Sequence, residues 1–133
     1  IGLSQLKHLK KVIKKKNKIY EYYKKNLKKI NGLRLLENPS YSKSNNWLNV
    51  LIIEKKYNIK KEKKIENFQK LGIETRSVWF PNHLQKPFKH FQGYKVKKAY
   101  ELYKKSLCLP SSYNLKISDQ KRIISLLINK FKK

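Results

Sequence analysis

Residues 47–53 read WLNVLII and form the longest apolar stretch of the chain. The run is nearly continuous and rich in β-branched side chains, which predicts a strand covered on both faces. Asparagine, serine and proline dominate residues 38–45 just before it, which is typical of a loop. The stretch is far shorter than the roughly 20 residues that a membrane-spanning helix needs, so we expect no membrane partner.

A long helix is predicted upstream of this strand, over residues 1–31. Apolar side chains recur there at alternating steps of three and four residues, as on one face of a helix. The stripe consists of Leu6, Leu9, Ile13, Tyr20, Tyr23, Leu27 and Ile30. Lys16 interrupts it, and Gly32 is expected to end the helix, because glycine readily adopts the left-handed conformation of a C-cap. A helix with one apolar stripe must pack along something larger.

Helices and strands alternate again downstream. Apolar periodicity predicts helices over residues 65–71, 96–107 and 123–131, and extended segments over 73–80 and 107–110. Gly72 and Pro81 are expected to end the first helix and the first strand of this half, and Ser118 to cap the last helix. The 133 residues suit one compact domain of the α/β class, in which a small sheet is packed with helices.

The net charge of the chain is +26, with 34 basic residues against 8 acidic ones. Only Arg34, Arg76 and Arg122 are arginines, whereas nucleic-acid sites favour arginine for bidentate or stacked recognition. Lysine spread over every segment therefore favours a solvated surface, and a nucleic-acid partner is not expected. The alternative is a small lysine-rich nucleic-acid-binding module, with aromatic side chains for stacking at Tyr20, Tyr22, Tyr23, Trp47 and Trp79.

Sulfur and imidazole groups are few. Cys108 is the only cysteine, which excludes an internal disulfide and favours a reducing cytoplasm. It lies between two leucines, so a small buried hydrophobic residue is favoured over a nucleophile. His83, His90 and Cys108 lack the paired spacing of zinc ligands, and we predict no metal site. There is no secretory signal and no methionine, even at position 1, so we expect a longer translation product.

Residues 75–88, TRSVWFPNHLQKPF, bring together an arginine, several aromatic side chains, a histidine and amides. Such a strand-to-loop passage suits a polar anionic ligand. Arg76 can fork onto a carboxylate or phosphate, and His83 can donate to a sugar hydroxyl or a phosphate oxygen. Alternatively, Trp79, Pro81 and Phe88 only pack the loop while Arg76 pairs with a surface acid. Residue types alone leave the two interpretations equal.

The same passage resembles the C-terminal domain of the DegT/DnrJ/EryC1/StrS aminotransferases. The resemblance is carried by GIETR at 72–76 and WFPNHLQKPF at 79–88. GLSQL at 2–6 is similar to the start of the family's long helix, and WLNV at 47–50 to its first small-domain strand. LCLPSS at 107–112 and SD at 118–119 are similar to its closing strand and helix. WLN together with LPSS is most similar to the branch that makes 4-amino sugars of the legionaminic-acid type.

The resemblance implies a pyridoxal-phosphate enzyme that moves an amino group, with glutamate as donor, onto a nucleotide-linked keto sugar for surface glycans. It implies the small C-terminal domain of a cytoplasmic, homodimeric fold-type-I transferase. Residues 1–31 would then link to an N-terminal cofactor-binding domain outside this chain. The Schiff-base lysine and the aspartate on the pyridine nitrogen belong to that domain, so the resemblance implies that this chain alone is inactive.

The resemblance also assigns residues. His83 matches the family's histidine near the sugar substrate, whereas Arg76 and Trp79 match positions beside the mouth of the active site. These three are the expected substrate-binding residues. Ser77 stands where many members have proline. No catalytic, cofactor-binding or metal-binding residue is expected within this chain.

Overall fold

The computed structural model describes residues 2–54 and 61–131. Within these residues the chain forms four α-helices and four strands, and the first two strands follow one another directly. The helices are α1, Gly2–Leu27; α2, Lys61–Lys70; α3, Lys97–Lys105; and α4, Ile117–Phe131. The strands are β1, Leu33–Leu35; β2, Asn49–Ile53; β3, Arg76–Ser77; and β4, Ser106–Leu109. This mixture of helices with a small sheet confirms the predicted class.

The four strands form one sheet in the order β1-β2-β4-β3, and every neighbouring pair is antiparallel. In the centre, Leu51 of β2 lies opposite Leu35 on one side and Leu107 on the other. Cys108 of β4 lies opposite Val50 and Arg76. Because side chains alternate across a strand, this register sends the leucines to one face and Cys108 to the other.

The two faces of the sheet are covered by different helices. The leucine face packs against α1 and α4 and forms the main core, which includes Ile19, Tyr23, Leu27, Leu33, Leu51, Leu107, Ile124 and Leu127. On the opposite face α3 contacts β2 and β4, and Ile52 and Cys108 are buried there. The prediction that residues 47–53 contribute a strand covered on both faces is confirmed, with the strand beginning at Asn49.

Long-range hydrogen bonds join α1 to the end of the chain, two of them at buried residues of the helix. The hydroxyl of Tyr23 donates to the carbonyl oxygen of Pro110 at 3.1 Å. The Nε2 of Gln120 in α4 donates to the carbonyl oxygen of Ile19 at 3.1 Å. Both bonds lie in the second half of α1, which is therefore the half that belongs to the core. Within the described residues, no helix combines the length and apolar character needed to cross a bilayer.

Two boundaries near α1 differ from the sequence-based expectation. The helix ends at Leu27, and successive turns lead to Gly32, which adopts a φ of 85° and accepts a hydrogen bond from the Glu54 amide. The reason is β1, a strand that the sequence did not predict. It pairs with β2 from Leu33 onward, so the chain must reverse direction before that residue.

Two further expectations are wrong in detail. The strand predicted over residues 73–80 is reduced to Arg76–Ser77, because β3 lies at the edge of the sheet and its pairing with β4 covers only these two residues. Ser118 is not the cap of α4, since the helix already begins at Ile117. Instead, the Asp119 carboxylate accepts a hydrogen bond from the Lys116 amide at 3.2 Å, which is one half of a capping box.

Candidate functional site

The loop after β3 folds into two short 3₁₀ turns, Asn82–Leu84 and Lys86–Phe88. Prolines 81 and 87 sit at or near their starts, where a fixed φ favours turn formation. The Gln85 side chain closes the first turn: its Nε2 donates to the Phe80 carbonyl at 3.1 Å and to the Asn82 Oδ1 at 3.0 Å. This amide bridge spans the residues on both sides of His83.

His83 lies inside that bridged turn and is half-buried. The turn is anchored to the body of the domain by Phe80, whose ring meets Tyr103 of α3 edge-on at 5.2 Å. Backbone bonds from Leu84 to Pro81 and from Gln85 to Asn82 complete it. The fold therefore presents the imidazole at the surface on a loop that is held from both ends.

Arg76 projects from the edge strand β3 and is mostly exposed. Its Nε and Nη2 both donate to one oxygen of Glu74, at 2.9 and 2.5 Å. This ion pair raises the pKa of Arg76 above its ordinary value. The chain thus pairs Arg76 with a surface acid, the alternative considered from the sequence. A guanidinium has five N–H donors, so the pair leaves others for a ligand.

Trp79 stands beside a residue that sequence reasoning did not place at the site. Its ring centroid is 5.7 Å from that of Trp47, with the planes tilted by 42°. Both indoles remain exposed, Trp47 to 60% and Trp79 to 68%. We call these two side chains the indole pair. Trp47 was assigned to a strand from the sequence, but it lies just before β2, where the chain is free to turn its side chain outward.

The indole pair borders a groove of about 480 Å³. Its lining is mainly amide, hydroxyl and apolar: Tyr20, Leu36, Glu37, Asn38, Pro39, Ser44, Asn45, Asn46, Trp47, Leu48, Val50 and Trp79. The acid in this set, Glu37, is paired with Lys24 at 3.2 Å, and the bond raises the pKa of Lys24. The groove therefore offers hydrogen-bonding groups beside an aromatic surface.

Of the three predicted substrate-binding residues, Trp79 lines this groove, whereas His83 and Arg76 are not among its lining residues. Cys108 and His90 also lie outside it. Cys108 is buried, and burial raises the pKa of its thiol, an effect only partly opposed by the charge of Arg76. Such a thiol stays protonated, which suits the predicted structural role. His90 lies against Phe91, with ring centroids 4.4 Å apart. Among the described residues, no three histidine, cysteine or acidic side chains converge as metal ligands would.

The groove that borders the indole pair does not fit a pyridoxal phosphate cradle. That cofactor needs a lysine for the Schiff base and an acid at the pyridine nitrogen. Asp119, the one aspartate of the chain, is bound to the Lys116 amide at the start of α4. The groove that borders the indole pair contains no lysine. No step of a cofactor reaction is therefore assigned to these residues.

Comparison with known proteins finds a family that matches this chain. The model of the DegT/DnrJ/EryC1/StrS aminotransferase family matches residues 1–128. The Bacillus subtilis (strain 168) protein EpsN, named for a pyridoxal phosphate-dependent aminotransferase activity, is 30% identical over 98% of this chain and 34% of its own length. The chain thus spans about a third of this relative.

Solved structures agree in fold. Helicobacter pylori PseC, an aminotransferase involved in the biosynthesis of pseudoaminic acid, superposes with a TM-score of 0.85 at 23% identity over 98% of this chain and 36% of PseC. DesI, solved in the presence of its TDP-sugar product, gives a TM-score of 0.84 at 20% identity over 96% of this chain and 33% of DesI. These structures are fold-type-I transferases. The comparisons give the nucleic-acid-binding alternative no support. With the family model covering α1 through nearly all of α4, the chain belongs to the DegT/DnrJ/EryC1/StrS aminotransferase family.

Proposed function

We propose that this chain is the C-terminal part of a pyridoxal-phosphate-dependent aminotransferase that aminates a nucleotide-linked keto sugar, with glutamate as the amino donor. The observation that carries the proposal is the family match over residues 1–128. The nature of the substrate is supported by DesI, which shares the fold and was solved with a TDP-sugar. Surface-glycan biosynthesis in the cytoplasm is the proposed setting.

His83 is the proposed contact to the sugar or the diphosphate. The Gln85 bridge and the Phe80–Tyr103 contact hold its turn in place while leaving the imidazole half-exposed. A neutral imidazole donates through one nitrogen and accepts through the other, which suits a sugar hydroxyl. Arg76 and Trp79 are the proposed walls of the pocket mouth.

The cofactor is proposed to be held by residues outside this chain, in a cofactor-binding domain joined to it through α1. When bound, pyridoxal phosphate supplies an electron sink for carbanion chemistry. The groove beside the indole pair contains no lysine, and its acid, Glu37, is paired with Lys24, which supports this assignment. On this proposal the 133 residues alone have no transaminase activity, and the active form is a homodimer.

The test uses the protein as its gene encodes it, assayed for amine formation on nucleotide-linked keto sugars with glutamate. His83→Ala should lower kcat/KM about 2- to 100-fold, the range from losing a hydrogen bond to a neutral hydroxyl up to losing one to a charged phosphate. The absorbance of the bound cofactor should be unchanged. His90→Ala is the matched control, because His90 is an exposed histidine farther along the same loop, with its ring against Phe91. An unaltered kcat/KM in His83→Ala would remove this residue from the site.

A further inference from the structure

The indole pair is an exposed aromatic surface that the proposed function uses only in part, through Trp79 as a wall. Trp47 and Trp79 are each exposed over more than half of their surface although their rings touch. Tryptophan is normally well buried, because its large apolar area is costly to leave in water. Two such rings together on one surface indicate a binding surface.

The backbone around Trp47 is held firmly in its outward position. The Trp47 amide donates to the Asn45 Oδ1 at 3.0 Å, and the Ser111 hydroxyl donates to the Trp47 carbonyl at 2.7 Å. Asn46 adopts a φ of 51°, and its Nδ2 donates to the Asn17 Oδ1 of α1 at 2.8 Å. A left-handed asparagine is sustained here by its contacts. The exposure of Trp47 is therefore built into the fold.

The groove beside the indole pair can bind the edge of a planar ligand. Asn38 contributes an amide that can donate and accept hydrogen bonds. The oxygens of Asn45 and Ser44 already accept from the Trp47 and Asn46 amides, so these two side chains contribute mainly as donors. Stacked nucleobases are read in this way, with their faces on aromatic rings and their edges against polar side chains. A base-free sugar would use the aromatic face but would not need this combination.

A cationic group lies close to the same loop. Lys16, the residue that interrupts the apolar stripe of α1, donates from its Nζ to the Ser111 carbonyl at 2.6 Å. Ser111 is the residue that binds the Trp47 carbonyl. One of the three donors of the ammonium is used by Ser111, and the side chain is only partly buried. Lys16 can therefore also face an anion placed next to the indole pair.

We infer that the indole pair stacks on the nucleobase of a nucleotide ligand, with the groove amides at the base edge and Lys16 at the phosphates. The choice of occupant rests on the proposed function, which requires a nucleotide-linked sugar. A planar face, a polar edge and an anionic tail match the three kinds of group on this surface. Within the same substrate, His83 would then act at the sugar end and Trp47 at the base end.

The experiment measures dissociation constants by calorimetry on the protein as its gene encodes it. The probes are UDP, dTDP and GDP, with ribose 5-phosphate as the base-free comparison. At least one nucleoside diphosphate should bind, and Trp47→Leu should weaken it by about fivefold or more, the lower end of base stacking. The affinity for ribose 5-phosphate should not change. Tyr94→Leu is the control, since this exposed ring lies outside the groove.

Substitution of Lys16 should change ligand binding in a different way from substitution of Trp47. Lys16→Met should weaken the nucleoside diphosphate and ribose 5-phosphate alike, and should reduce the dependence of binding on salt, because a phosphate contact is electrostatic. Lys14→Met, an exposed lysine of the same helix, should leave both affinities unchanged. Equal affinities in Lys16→Met and the parent protein would overturn the assignment of Lys16.

The inference is overturned if no nucleoside diphosphate binds, or if Trp47→Leu leaves its affinity unchanged or weakens ribose 5-phosphate equally. Tighter, Trp47-dependent binding of a single-stranded oligonucleotide would also overturn it, in favour of nucleic acid. The assay for amine formation tests the proposed function separately. A protein that binds nucleotide through Trp47 but forms no amine would retain the inference and reject the function. If the protein forms amine and Trp47→Leu has the same KM as the parent, the proposed function is retained and the inference is rejected.

Discussion

The two halves of α1 have the same spacing of apolar residues but differ in how deeply those residues are buried. In the second half, the stripe residues Tyr23 and Leu27 are fully buried against the sheet and α4. In the first half, Leu3, Leu6 and Leu9 continue the stripe in solvent, with Leu6 exposed to 62%. Spacing in the sequence therefore specifies which face of a helix is apolar. It does not specify whether these 133 residues supply the surface that covers it.

The stripe changes character near Lys16. Ile13 before it is half-buried, and Ile19 after it belongs to the core. The exposed half suits a helix that packs on a surface outside this chain, as the proposed link to a cofactor-binding domain requires. Three substitutions along α1 test how sharp this division is.

The largest effect is expected at Leu27. Leu27→Ala should lower the free energy of unfolding by about 2–5 kcal/mol, because it opens a cavity in a packed core. Leu6→Ala, the same change on the same stripe, should stay within about 0.5 kcal/mol. Urea unfolding of the 133-residue chain followed by circular dichroism measures both. Equal losses would show that the first half of α1 is buried in solution.

A smaller effect is expected from the hydrogen bond that anchors the buried half. Tyr23→Phe removes the donor to the Pro110 carbonyl and should cost about 0.5–1.5 kcal/mol of unfolding free energy. Tyr22→Phe is the neighbouring control, on a ring that is only partly buried. The same urea titrations apply. If the two variants were equally stable, the Tyr23 bond would contribute nothing measurable.

The smallest effect concerns Lys16 at the boundary, and it depends on pH. Burial lowers the pKa of Lys16 below its usual value of 10.5, so the folded state binds this proton less tightly than the unfolded state. The desolvation cost is complete at neutral pH and is relieved as the pH rises through the lowered pKa toward 10.5. Lys16→Met removes this cost but also removes the bond from the Lys16 Nζ to the Ser111 carbonyl, so its net effect at pH 7 should stay within about 0.5 kcal/mol. Relative to the parent protein, the variant should lose stability as the pH rises in alkaline urea titrations. A relative stability that rose with pH would reverse the sign.

The main elements of the fold were predictable because each carries a long or strongly periodic apolar pattern. The exceptions are short. Leu33–Leu35 is a strand only because β2 lies beside it, and three residues carry too little pattern to predict. The strand over residues 73–80 was predicted too long because its length is set by β4, a partner that lies far along the chain. Which strands pair depends on the tertiary structure and is not visible in the local sequence.

The candidate site was likewise predictable only in part. The Arg76–Glu74 pair could be anticipated as a surface ion pair, because residues two apart in an extended segment share a face. Residue types alone single out His83 as a hydrogen-bonding group, and the family resemblance assigns His83 and Trp79 to the substrate site. The meeting of Trp47 with Trp79 could not be anticipated, since it depends on the left-handed Asn46 and on Ser111 from another loop. Asparagines directly before an isolated tryptophan were the only local signal.

The bond between Gln120 and Ile19 has a consequence for synthesis on the ribosome. These residues are 101 positions apart, so the buried half of α1 leaves the ribosome long before its partner helix exists. At about 5–20 residues per second, the delay is roughly 5 to 20 s. During that interval the nascent α1 can pack only on the earlier strands of the sheet, so the side that α4 will cover stays exposed together with the leucines of its first half. Chaperone capture of this helix should thus end in two stages, with only the second half released when α4 docks.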